Sequence, residues 1–146
     1  MTNYKPSKEI LEKYASVMIN YACAGGKGIK KGDVVLLQVP ECAKDFLVEL
    51  RNAVLKSGGN PIIQYLPDDM SKAYFDLASD EQLSFFPDKY LKGIIDQIDH
   101  RVYVIADTDK YELKDVDPKK IMMRQKSFEQ YRKWMDAKEN EGKYSW

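Results

Sequence analysis

Residues 34–39, VVLLQV, constrain the fold more than any other feature of this chain. The run is apolar without alternation, the pattern of a strand covered on both faces, and such strands belong to parallel sheets flanked by helices. Pro40 closes it. From Glu41 to Lys56, the residues Ala43, Phe46, Leu47, Leu50 and Val54 recur at helical spacing and predict an amphipathic helix. Gly58 or Gly59 is placed to cap that helix in the left-handed conformation. PIIQY, residues 61–65, then reads as a second strand, so the stretch forms a β–α–β unit with the right-handed crossover that nearly all such units adopt.

The flanking segments extend this pattern. Ser7 can accept a bond from the first turn of a helix running from about residue 8 to residue 22, with Ile10, Leu11, Tyr14, Val17, Met18 and Tyr21 as its inward stripe. GGKGIKKGD turns the chain. Residues 67–100 read as helical pieces starting at Asp69 or Ser71, at Ser79 and after Pro87. RVYVIAD, residues 101–107, is the expected third strand. Asp117-Pro118 opens a last helix reaching about Lys138, with Ile121, Phe128 and Met135 seven apart. The closing KYSW has the look of a strand beginning. The expectation is one α/β domain over residues 1–146: a small three-layer arrangement with a parallel sheet of about three strands, and one lobe of a longer chain.

Composition excludes several classes. Apolar residues at 44% are too many for a disordered chain, and 23 cations balance 23 acids, leaving no net field for nucleic acid or an anionic membrane. No apolar run approaches the ~18 residues of a membrane span, and the first residues lack a signal peptide's basic start and apolar core. Cys23 and Cys42, with no CxxC, read as two reduced, partly buried thiols, which points to the cytoplasm.

Chemistry is scarce. His100 is the sole histidine, which excludes HExxH and every two-histidine metal arrangement, and it reads as a surface or junction residue. Asp107-Thr-Asp109 lies where open α/β sheets bind ligands, yet aspartates at such a place more often serve a turn than a magnesium ion. No G-x-S-x-G occurs. Cys42 falls in the first turn of the second helix and reads as a quiet, half-buried thiol. Gly25, Gly26, Gly28 and Gly32 follow a helix and precede a strand, the wrong topology for a phosphate loop. Lys119, Lys120, Arg124, Lys126, Arg132, Lys133 and Lys138, interleaved with Tyr131 and Trp134, share their helix with Glu129, Asp136 and Glu139 and read as a solvated face. No catalytic or metal-binding residue is therefore assigned. Glu41, Tyr65 and Asp107, near the carboxyl ends of the strands, are the cleft or interface candidates.

Taken in order, EKYASVMINYA, GIKKGDVVLLQVPECAKDFLVELRNAVLKSGGNPIIQY, ASDEQLSFFP and the DP-x-K…R-Q segment at residues 117–125 resemble the start of the thermophilic metalloprotease family, aminopeptidases of the T and S type. The likeness runs over nearly the whole chain and is spread over many positions. It implies an amino-terminal α/β domain of an exopeptidase that removes N-terminal residues from peptides with two divalent ions (cobalt, zinc or magnesium). The family holds those ions in its second, catalytic domain, so the resemblance assigns no cofactor and no catalytic residue to this chain. It implies the catalytic domain of the same polypeptide as partner and leaves homodimer formation open. A stand-alone small-ligand-binding or adaptor domain is the competing reading.

Overall fold

The computed structural model describes residues 5–106 and 108–146. These fall into two compact units. The first takes the described residues up to Leu66, then Ile98–Ala106 and Tyr144–Trp146; the second takes Pro67–Gln97 and residues 108–143.

The first unit holds the sheet. Strands β1 (Val34–Pro40), β2 (Asn60–Leu66) and β3 (His100–Tyr103) are all parallel, in the order β2-β1-β3. The expected α/β class and three-stranded parallel sheet are what the chain adopts. β3 is shorter than residues 101–107, and Pro40 supplies the reason. Carbonyls of Val34 and Gln38 face β3, accepting from Asp99 N–H at 2.9 Å and Val104 N–H at 3.0 Å. Pro40, two residues on, faces the same side without an N–H to give, so the ladder stops.

Two helices cover one face of this sheet. α1 (Lys8–Val17) starts at Ser7, whose hydroxyl accepts from Ile10 N–H, and continues as a π-helical turn, Met18–Ala22. The expected inward stripe is corrected here. Tyr14, Val17 and Tyr21 are exposed by 63%, 54% and 63%, and the buried row is Ala15, Ile19 and Cys23. Apolar residues sit on both sides of this helix, and the side with the small Ala15 is the one that packs closely on α3 (Lys44–Lys56). After a short turn, α2 (Cys23–Gly26), the loop folds back onto the end of α1, with Ile29 N–H donating to Ile19 O at 3.0 Å.

α3 follows a single 3-10 turn, Glu41–Ala43. It ends as expected at Gly58 (φ +79°), where Gly58 N–H reaches Leu55 O and Gly59 N–H reaches Val54 O, each at 3.0 Å, closing a Schellman motif. Ile19, Val35, Leu37, Val39, Leu50 and Val54, all fully buried, are the centre of the core. Each such side chain contributes about 1.5–3 kcal/mol by leaving water.

The second unit is helical: α4 (Ser71–Leu77), α5 (Asp80–Ser84), α6 (Asp88–Gln97), α7 (Pro118–Ser127) and α8 (Glu129–Asn140). Ser79 and Gln82 form a reciprocal capping box before α5, and Asp117 accepts from Lys119 N–H before α7. The expected continuous last helix breaks at Phe128 (φ −96°, ψ 8°). Ser127 Oγ donates back to Arg124 O at 2.7 Å, a bond that competes with helical hydrogen bonding. The Phe128 ring turns aside to meet Phe86 and Tyr131 edge-on, at 5.8 and 6.5 Å. A small core of Phe75, Leu83 and Val116, joined by Leu113, Ile121 and Met123, binds α4, α5 and α7 together.

Candidate functional site

The order β2-β1-β3 puts a topological switch point beside β1, at the carboxyl ends of the strands, where open α/β sheets bind their ligands. Glu41 stands there, exposed, in the turn that leaves β1. Its neighbour Cys42 is exposed, contrary to the half-buried thiol expected, and its Sγ lies 3.7 Å from Ala106 O on the chain leaving β3. Asp107 lies outside the described residues. Tyr65 lies elsewhere: its side chain faces α3 and lines a groove with Lys44, Leu47, Val48, Arg51 and Ile63, which does not include Glu41. The groove has a volume of about 290 Å³. Asp109 performs turn chemistry, its Oδ1 accepting from Tyr111 N–H at 2.8 Å.

Sequence reasoning gave His100 no partners, and the structure gives it two. Nε2 lies 2.8 Å from Asp33 Oδ2 and Nδ1 lies 2.8 Å from Ser145 Oγ. The carboxylate fixes the tautomer: Nε2–H donates to Asp33, and the Ser145 hydroxyl donates to Nδ1. Burial opposes ionisation of Asp33, but the Lys30 N–H and His100 outweigh it and hold the carboxyl below its usual range.

The Ser–His–Asp connectivity is that of a nucleophilic triad, yet the serine is immobilised. Its Oγ accepts Ala24 N–H at 3.0 Å, its N–H donates to Asp99 O, and its carbonyl accepts Arg101 N–H. The cluster sits at the amino ends of the strands, with His100 buried. Its chemistry is that of a clasp joining the chain before β1, the start of β3 and Ser145. These residues are 45 and 67 positions apart, and no local motif could have announced them.

Several of the basic residues of α7 and α8 are engaged inside the second unit. Lys120 Nζ donates to Phe75 O at 2.7 Å and Lys138 Nζ to Ile95 O at 2.5 Å. Arg124 donates to Phe85 O and lies over the Phe128 ring at 4.3 Å, and Lys133 pairs with Glu129. Among the described residues no three His, Cys, Asp or Glu side chains come together as metal ligands would. The sole imidazole has both nitrogens committed, so the described residues offer no set of side chains that fits a metal ion. Cys23 and Cys42 are not joined; burial pushes the Cys23 thiol above its usual range. No helix is long and apolar enough to cross a membrane among the described residues.

Comparison with known proteins adds the following. The family model described as Thermophilic metalloprotease (M29) matches residues 7–146. Among solved structures, wild-type AmpT from Thermus thermophilus is similar, with 23% identity and a TM-score of 0.71. The match covers 85% of this chain and 31% of that one, so this chain spans under a third of that structure's length. At that identity the likeness shows the fold. No curated protein matches significantly.

Proposed function

This chain belongs to the thermophilic metalloprotease family, and from that premise we propose that it is the amino-terminal α/β domain of a metal-dependent aminopeptidase. In this reading the full enzyme removes N-terminal residues from peptides, and the divalent ions are held by the catalytic domain that the family carries. This domain packs against that part and shapes the cleft. Alone, it does not hydrolyse peptides. The observation that supports the division of labour is the commitment of the only histidine, His100, to Asp33 and Ser145. No step of the reaction is routed through residues of this chain. Two cysteines that are not joined support a reducing, cytoplasmic setting.

The test is hydrolysis of leucine p-nitroanilide by the purified chain, with cobalt, zinc or magnesium added in turn. The expected result is no turnover above the metal-only blank. Turnover that rises with chain concentration and vanishes with a chelator would overturn the assignment of all catalysis to other residues.

A further inference from the structure

We infer that the outer edge of β2, together with the adjoining flank of α3, binds an extended peptide segment in which two acidic side chains bracket an apolar one. The choice of a peptide rests on the peptidase-family reading; the position and the side-chain preference come from the geometry.

β2 is the last strand on its side of the sheet. Asn60 N–H donates inward to Asp33 O at 2.8 Å. Backbone direction alternates along a strand, so Ile62, Gln64 and Leu66 also turn toward β1. Pro61, Ile63 and Tyr65 turn their peptide groups outward. The Ile63 N–H and the carbonyls of Pro61 and Ile63 therefore face the side where a further strand would add, the arrangement by which sheet edges capture extended peptides. Pro61 contributes no donor, which shortens the useful edge to its second half.

The side chains beside that edge set the preference. The groove has an apolar floor of Leu47, Val48, Ile63 and Tyr65, with Ile63 and Tyr65 exposed by 44% and 40%. Lys44 and Arg51 stand on its rim, both exposed. Among the described residues neither has a carboxylate within ion-pair distance, and the nearby Asp45 is taken by Lys5 at 2.6 Å. Seven residues of helix separate Lys44 and Arg51 by roughly 10 Å, with Val48 between them. In an extended segment, residues i, i+2 and i+4 share a face and span roughly 13 Å. An acid–apolar–acid pattern at those three positions meets Lys44, Val48 and Arg51, within the reach of their long side chains. A basic segment would be repelled.

The experiment is an amide-resolved NMR titration of the whole chain with the acetylated, amidated pentapeptide Glu-Thr-Val-Thr-Glu and with its Lys-Thr-Val-Thr-Lys counterpart, at low salt and without metal. The expected result is movement of the Ile63 and Val48 amides, with the acidic peptide binding at least tenfold more tightly. The double variant Lys44→Glu with Arg51→Glu, on the solvent face of α3, should reverse the preference while leaving the rest of the spectrum in place. Equal binding of both peptides, or perturbations confined to other surfaces, would overturn the inference. Protection of the Ile63 amide that rises with protein concentration and no peptide would also overturn it, by giving the edge to a second copy of the chain. A capped peptide is no substrate for an aminopeptidase. Failure here therefore leaves the hydrolase reading to its own assay, and a failed hydrolysis assay leaves this binding measurable.

Discussion

Replacing Gly28 by alanine tests the loop that closes the first unit onto α1. Gly28 has φ +72°, where an L side chain costs about 1–2 kcal/mol. The larger obstacle is space. A Cβ at Gly28 would lie 2.6 Å from the Asn20 carbonyl carbon and 2.9 Å from its Cα, and nearer still to its oxygen. Those atoms belong to the π-helical turn, which the loop holds through Ile29 N–H to Ile19 O at 3.0 Å, while Gly28 N–H reaches Cys23 O, just past that turn, at 2.9 Å. Relief requires the two segments to part. Overpacking costs about 1–3 kcal/mol, and each backbone bond lost adds about 0.5–1.5 kcal/mol. The expected destabilisation is therefore about 3 kcal/mol at least and about 8 kcal/mol at most, a large share of the stability of a small domain. Gly32→Ala is the control, because Gly32 also has positive φ (+92°) but nothing within 4 Å of an added Cβ, so only the conformational cost of about 1–2 kcal/mol applies. Urea unfolding followed by far-ultraviolet circular dichroism and by tryptophan fluorescence measures both. A Gly28→Ala variant no less stable than Gly32→Ala would refute the steric argument.

Three further outcomes follow from the contacts described. Asp33 titrates below its usual range in the folded chain, so its contribution to stability is present above the unfolded value of about 3.9 and is lost as pH falls through the folded one. Thermal unfolding across the acidic range should show that loss, and Asp33→Asn should flatten it. Cys23 behaves oppositely: its thiol is raised by burial, so stability declines as pH rises above about 8.5, and Cys23→Ala should remove that decline. Ser79→Ala removes one half of the capping box before α5 and should cost about 1 kcal/mol in urea unfolding.

Local signals carried much of the fold. The apolar run of β1, the periodicity of α3, its glycine cap and the caps at Ser7, Ser79 and Asp117 each depend on neighbours within a few residues, and each appears where expected. What failed was decided at longer range. The apolar residues of α1 offered two faces, and packing on α3 chose the one with Ala15. β3 ended early because of a proline on a different strand. α4 does begin at Ser71, one of the two starts expected, but what caps it there is distant: the Glu112 carboxylate accepts from Ser71 and Lys72 N–H, 41 and 40 residues away. A pattern read along the chain cannot contain those facts.

The site was legible in the same uneven way. Position along a strand can be read from its length, so residues at the carboxyl ends could be named. The side toward which each one points depends on the register. That register divides the candidates: Tyr65 belongs to the α3 groove with Lys44 and Arg51, while Glu41 stands at the mouth beside Cys42 and Ala106. His100 shows the converse. A lone histidine invites a catalytic role, but both ring nitrogens are already satisfied by protein partners, and the serine beside it accepts a backbone N–H. To serve as a ligand or as a base toward another group, Nδ1 must first give up the Ser145 hydroxyl, a bond worth more where water is scarce. What His100 contributes is therefore position: it holds the start of β3 against the segment entering β1, at the end of the strands opposite the switch point.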